Sequence, residues 1–257
     1  MGRKIRRIIM LLLLLICLGS AGTAAYTIIQ YRASEKLYSE TSNQYTVQAA
    51  ETPEASVEEV DENKPPITVD FDALRQVNED VAGWIYCEGT VINYPVVQGE
   101  DNDFYLHHDI YGQESRYGAI FADYKADLYG GESNIIIYGH HMRNGSMFGS
   151  LEEYDSRSYY EEHPSFFLFL PEEEREYEII AVLRNDIYSR EKEPFQYYDY
   201  ERIATKEMFD EYCQGIKSYS LYDTGLTAEY GDELVTLCTC SYSGKDERLL
   251  IVGRRLQ

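Results

Sequence analysis

The feature that most restricts this chain is an uncharged apolar run from Ile8 to Ile29, preceded by Arg3, Lys4, Arg6 and Arg7. As a helix rising about 1.5 Å per residue it reaches roughly 33 Å, enough for a hydrocarbon core about 30 Å thick. Whatever else the chain folds into must fold apart from this segment. The basic residues hold positions 1–7 in the cytoplasm and send the remainder outside. A cleaved signal peptide is the alternative, because Gly19-Ser20-Ala21-Gly22-Thr23-Ala24-Ala25 offers the small residues of a cleavage site. The apolar character continues through Tyr26-Thr27-Ile28-Ile29, which favours an uncleaved anchor over 8–29. The expected location is the cell membrane, crossed once, with the N-terminus inside and the folded body extracytoplasmic.

Residues 30–66 are polar and acidic, carry Pro53, Pro65 and Pro66, and show no apolar period, so they read as a flexible stalk. The body then spans 67–257. The net charge of −22 falls almost entirely on this body, which would repel phosphate backbones and sets aside a nucleic-acid partner. Solubility explains such acidity adequately, and attraction of a basic partner segment is the sharper reading. Hydrophobic residues make up 44 % of the chain, enough for a sizeable core. The 25 tyrosines favour a body built mainly from strands.

Short strand-like runs recur between Gly, Asn and Asp turns: 91–97, 118–121, 134–138, 165–170, 177–183, 234–238 and 249–252. Runs of that kind predict a barrel or sandwich. A short helix is expected from Asp70, a suitable N-cap, with Phe71, Leu74 and Val77 at helical spacing. A second helix is expected over 205–218, where Met208, Tyr212, Ile216 and Tyr219 form a stripe between late strands.

The chemistry concentrates at strand ends. Thr236-Leu237-Cys238-Thr239-Cys240 runs from an apolar strand into the polar turn Ser241 to Lys245. Cys240 therefore sits where a thiol can meet solvent and substrate, whereas Cys238, two residues deeper, reads as core lining. The C-x-C pair makes a poor disulfide because its loop is too tight, and a free thiol outside the cell is a candidate nucleophile. Asn134 to Tyr138 reads as a buried strand running into Gly139-His140-His141, and spacing alone leaves either histidine open. Arg248 opens the next strand after Cys240, so a hairpin returns its guanidinium, a fixed fork of donors, towards the thiol. Neither C-x-x-C nor H-x-x-x-H spacing occurs, so no metal and no cofactor is expected. A papain-like arrangement is also disfavoured, since the cysteine there precedes its histidine.

These words resemble the sortases, whose cysteine ends a T-L-x-T-C strand, whose histidine follows a Gly, and whose arginine lies on the following strand. The resemblance covers roughly residue 70 to the C-terminus. It is closest to class B through Gly83-Trp84-Ile85, Tyr94-Pro95-Val96-Val97-Gln98, Tyr105-Leu106-His107-His108 and Tyr138-Gly139-His140-His141-Met142. It implies a closed β-barrel with an N-terminal helical extension and one helix between late strands. It selects His140 over His141 and implies a structural role for His107-His108. The implied activity is a cysteine transpeptidase of a Gram-positive bacterium. Cys240 attacks the C-terminal sorting motif of a secreted protein, and His140, as imidazolium, protonates the leaving amine. Arg248 stabilises the oxyanion, and the acyl group passes to an amine of a cell wall precursor or a pilin. A catalytically idle, membrane-anchored module that binds sorting-motif peptides or wall fragments is the alternative.

Overall fold

Eight strands close on themselves into a barrel, which leaves that sheet without an open edge. The structure, a computed structural model, describes residues 2–48, 65–130, 134–186, 195–240 and 247–256. Along the chain the elements are α1 (Arg3–Tyr45), β1 (Thr46–Gln48), β2 (Ile67–Val69), α2 (Phe71–Val77), β3 (Val81–Tyr86) and β4 (Asn93–Val97). There follow α3 (Phe104–His107), β5 (Ile120–Ala122), β6 (Asn134–His140), α4 (Arg157–Glu162), β7 (Ser165–Phe169) and β8 (Glu174–Asp186). The last are α5 (Lys206–Tyr219), β9 (Leu234–Cys240) and β10 (Glu247–Arg255). The barrel order is β10-β8-β7-β3-β4-β5-β6-β9. Pairing is antiparallel except between β4 and β5 and between β6 and β9. This is the mainly β, closed-barrel architecture expected, with α5 between β8 and β9.

The chain forms two units, Met1–Thr41 and Ser42–Gln257. In the first, the apolar side chains of the 8–29 run are exposed along the helix, Leu15 at 65 % and Ile29 at 63 %. One helix, Ile5–Tyr45, is long and apolar enough to cross a membrane. Exposed leucine and isoleucine on that scale are consistent with a single-pass membrane anchor.

The expectation of an irregular stalk over 30–66 is corrected at its start. The helix continues to Tyr45, and Thr46–Gln48 then pair antiparallel with Ile67–Val69. The missed signal is a helical period in mostly polar residues: Tyr38, Thr41 and Tyr45 recur at three- and four-residue intervals, and all are buried. Tyr45 and Ser42 belong to the second unit. The Asp70 N–H donates to the Tyr45 carbonyl at 2.9 Å, and Asn93 Nδ2 donates to Ser42 Oγ at 2.6 Å. The body therefore begins at Ser42 rather than Ile67. The rest of the expected stalk, 49–64, lies outside the described residues.

Two helix expectations hold in detail. Asp70 caps α2, its Oδ1 accepting from the Ala73 N–H at 2.9 Å. Thr205 caps α5 by accepting from the Met208 N–H. The buried stripe of α5 is Phe209, Tyr212 and Ile216, with Met208 and Tyr219 on its margins. This face packs on the outer side of the barrel against Ile136, Leu183, Cys238, Leu250 and Val252. The alternate strand positions, Ile135, Ile137, Leu237 and Ile251, are buried in the barrel interior.

A buried polar chain ties this layer to the strands beneath it. Tyr212 Oη lies 2.6 Å from Thr236 Oγ1, which donates to Asn134 Oδ1 at 2.9 Å, and Asn134 Nδ2 donates to the Tyr200 carbonyl. Asn134 and Thr236 belong to β6 and β9, so the chain pins the register of the parallel pair. Thr236→Val leaves two buried polar groups unpaired and is expected to cost about 1–3 kcal/mol, read as a lower urea midpoint. No change in midpoint would show that the chain does not hold the register. A body starting at residue 42 is expected to be more stable than one starting at 67, on the order of 2 kcal/mol, through Tyr45 burial and the lost strand pairing. Equal midpoints for the two truncations would return the boundary to Ile67.

Candidate active site

Parallel pairing of β6 with β9 runs in unbroken register from Asn134 opposite Leu234 to His140 opposite Cys240. Both strands end there, so two residues 100 positions apart in the chain meet as Cα partners at one rim of the barrel. β10 returns antiparallel to β9, with Leu250 opposite Cys238, and that register continued by two residues sets Arg248 across from Cys240. The hairpin expected from the sequence is thus present, and the structure brings all three expected residues together. The turn 241–246 that joins these strands lies outside the described residues.

Strand alternation gives positions 138 and 140 of β6, 238 of β9, and 248 and 250 of β10 to the outer, α5-covered side. Cys238 is fully buried in that layer, its Sγ 3.3 Å from Tyr197 Oη, as core lining should be. The Arg248 side chain is half-buried, and its Nη1 donates to the Thr239 carbonyl at 3.4 Å. Thr239 Oγ1 in turn accepts from the Leu249 N–H at 3.0 Å. The guanidinium is therefore tied to the backbone of the residue just before Cys240.

Gly139 explains the depth of His140. A Cβ at position 139 would stand 2.5 Å from Ile120 Cδ1 and 2.7 Å from the Phe148 ring, so only glycine lets Phe148 seat against the strand from inside. His140, on the opposite face, is only 6 % exposed, and its Nδ1 is buried with no hydrogen-bond partner among the described residues. Burial first, then the charges of His107 and Arg248, push the His140 pKa down to about 4. Low-dielectric surroundings disfavour the charged form of the ring. Its unpartnered ring nitrogen leaves it able to take a proton from a group that ionises beside it.

His107, read from the sequence as structural, is an exposed residue of α3 whose charge reaches His140. It lies 3.8 Å from Asp103 Oδ1. Its neighbour His108 stacks on Phe104 and bonds the Phe104 carbonyl through Nδ1, a structural role. His141, the alternative to His140, instead pairs with Glu152 at 3.2 Å. Among the described residues no group of three or more His, Cys, Asp or Glu is placed to hold a metal ion.

Comparison with known proteins agrees with this arrangement. The Sortase domain family matches residues 85–256. Sortase B of Listeria monocytogenes is 34 % identical over 183 residues, 70 % of this chain and 72 % of that protein. Sortase B of Staphylococcus aureus is 29 % identical over 72 % of this chain and 73 % of its own length. The crystal structure of sortase B from B. anthracis in complex with AAEK1 superposes with a TM-score of 0.72 at 30 % identity, covering 90 % of this chain and 99 % of that one. Sortase B of Clostridium perfringens superposes with a TM-score of 0.66 at 32 % identity, covering 73 % and 100 %. With an in-register histidine and cysteine at the strand ends and a family match over most of its body, this chain belongs to the sortase family of cysteine transpeptidases, class B.

Proposed function

We propose that Cys240 is the nucleophile, His140 the proton carrier and Arg248 the oxyanion donor of a transpeptidation on secreted proteins bearing a C-terminal sorting motif. The observation that carries this reading is the pairing of His140 with Cys240 at the ends of two parallel strands. A neutral, buried imidazole suits the first step. His140 takes the Cys240 proton as the sulfur attacks the motif's carbonyl carbon, and the imidazolium so formed gives that proton to the leaving amine. Arg248 faces the oxygen on which negative charge develops. An amine of a cell wall precursor or of a pilin then attacks the thioester, passes a proton to His140, and releases the thiol. Residues 8–29 hold the enzyme at the plasma membrane, with residues 1–7 inside and the catalytic body outside, where secreted substrates emerge.

Mass spectrometry after incubation with Asn-Pro-Xaa-Thr-Xaa and Pro-Xaa-Thr-Gly peptides tests the enzyme reading. An acyl adduct on Cys240 is expected, absent in Cys240→Ala and retained in Cys238→Ser. An intact fold that binds these peptides yet never gains an adduct would favour a binding module instead. Arg248→Lys keeps the charge and loses the planar fork, so turnover should fall on the order of 100-fold while Cys240 alkylation persists. Turnover near that of the parent would remove Arg248 from the oxyanion role. In Cys240→Ala, where no thiolate can hold a proton on the ring, the His140 imidazole should titrate by NMR near 4. The neutral ring's contribution to stability is present above the unfolded-state value of about 6.5 and is lost as pH falls towards 4. Titration at or above 6.5 would show that the ring is not held neutral by burial.

A further inference from the structure

The strand that carries Arg248 begins one residue before it. Glu247 is the first residue of β10, paired across to Asp186 of β8, and Arg248 lies opposite Asn185. Positions 248 and 185 share the outer face, where Asn185 is fully buried and its Nδ2 donates to the Phe195 carbonyl at 3.0 Å. Alternation sends the flanking positions, Arg184 and Glu247, to the inner face of the same rim. Strand ends are where pairing opens most easily, so the aim of Arg248 depends on how firmly Glu247 is held.

Arg184 supplies that hold. Its Nη1 donates to Glu247 Oε2 at 3.4 Å, and its Nη2 donates to Asp155 Oδ2 at 2.6 Å. Asp155 ends the segment Phe148–Asp155, which is a firm support. Phe148, Leu151 and Tyr154 are buried, Tyr154 Oη donates to the His163 carbonyl at 3.0 Å, and the Tyr154 carbonyl accepts from Tyr222 Oη at 2.8 Å. At its other end the segment seats Phe148 against β6 at Gly139, one residue before His140. Arg184 thus links the start of β10 to the support on which the end of β6 rests. A guanidinium can hold two carboxylates at once because its donors form a fixed fork. Ion pairs to carboxylates as exposed as Glu247 and Asp155 do little for overall stability, so a link spanning β8, β10 and 148–155 is better explained by the geometry it sets.

We propose that Arg184 is a positioning residue for Arg248: by holding Glu247 to Asp155 on the inner face, it keeps the start of β10 in the register that turns Arg248 outward. The proposal rests on the reading of Arg248 as the oxyanion donor. Arg184 acts through the backbone at 247–248 and makes no contact with the reacting atoms. If the start of β10 opens or slips, the guanidinium swings away from the oxygen on which charge develops. That charge exists in the transition state and not in the bound peptide, so losing the hold lowers turnover and spares peptide binding.

The test uses the full chain in bilayer nanodiscs with the two donor peptides above, and reads kcat and KM for peptide cleavage beside Cys240 alkylation. Arg184→Met and Glu247→Ala should each lower kcat roughly tenfold and leave KM within about twofold of the parent's, the pattern of one slightly misplaced group. Arg184→Lys should be slow as well, because an ammonium cannot span both carboxylates in one geometry. Added to Arg248→Met, Arg184→Met should change kcat by less than about twofold, since the aim of an absent guanidinium cannot matter. Arg157→Met removes the same charge from an exposed pair with Glu161 and should leave kcat unchanged. Parent-like kcat in Glu247→Ala and Arg184→Lys, beside a slow Arg248→Met, would overturn the positioning role alone. A tenfold loss that persists on top of Arg248→Met would overturn it too, by showing an effect independent of Arg248. If circular dichroism shows Arg184→Met unfolded, Glu247→Ala and Arg184→Lys complete the same cycle. Parent-like kcat in Arg248→Met alone would instead remove the oxyanion role, and the positioning role with it.

Discussion

The parallel register of β6 on β9 is the constraint on which the site depends. Side chains alternate along a strand, so a slip of one residue would turn His140 to the barrel interior while Cys240 kept its own face. Parallel pairing offers no tight hairpin to set the register, because the two strands are far apart in the chain. The register is set instead by packing on both faces and by the Tyr212–Thr236–Asn134 chain at the far end of the pair. A polar chain that is fully satisfied and buried specifies one alignment, since any other leaves its members unpaired. The helix α5 thus acts on the rim chemistry through a hydrogen bond made several residues away from it.

Burial decides what His140 can do. Its surroundings favour a neutral ring, and the neighbouring His107 and Arg248 push in the same direction. An imidazolium there is stable only while a negative charge stands beside it, as it does when the thiol ionises. In the proposed mechanism, proton transfer is thereby coupled to attack on the substrate rather than preceding it. Arg248 disfavours the imidazolium and is anchored on the Thr239 carbonyl, one residue before Cys240.

Much of this was legible in the sequence, and the misses have physical causes. Asp70 announced its helix because capping is local chemistry, and the 205–218 helix was readable from its apolar stripe. The runs at 134–138, 165–170 and 234–238 were readable because continuous apolar, β-branched or aromatic stretches bounded by turns have few other uses. β3 was not predicted: Val81-Ala82-Gly83-Trp84-Ile85-Tyr86 is buried at every position, so it lacks alternation, and its Gly83 reads as a break. That glycine is required because a Cβ would meet the Phe169 carbonyl at 2.9 Å. The helical residues 30–45 were missed because their stripe is made of Tyr and Thr, which carry a weaker apolar signal than Leu. The site residues were legible as words at strand ends, but the state of His140 was not. Its low pKa comes from burial and from His107 and Arg248, which are remote in sequence.

The two faces of β6 divide the rim into two environments, and Gly139 is the residue that permits both. Without a Cβ at 139, Phe148 closes on the strand from inside and leads into the segment 148–155 that carries Glu152 and Glu153. On the outer face the same close packing leaves His140 seated deep in the layer shared with Ile136 and Cys238. The exposed Glu152 pairs with His141, the residue beyond His140, at 3.2 Å. The partition matters energetically, because a carboxylate placed directly against His140 would raise its pKa and hold it as an imidazolium at rest. His140 thus stays buried at the strand end, while the carboxylate contact is made by its neighbour His141.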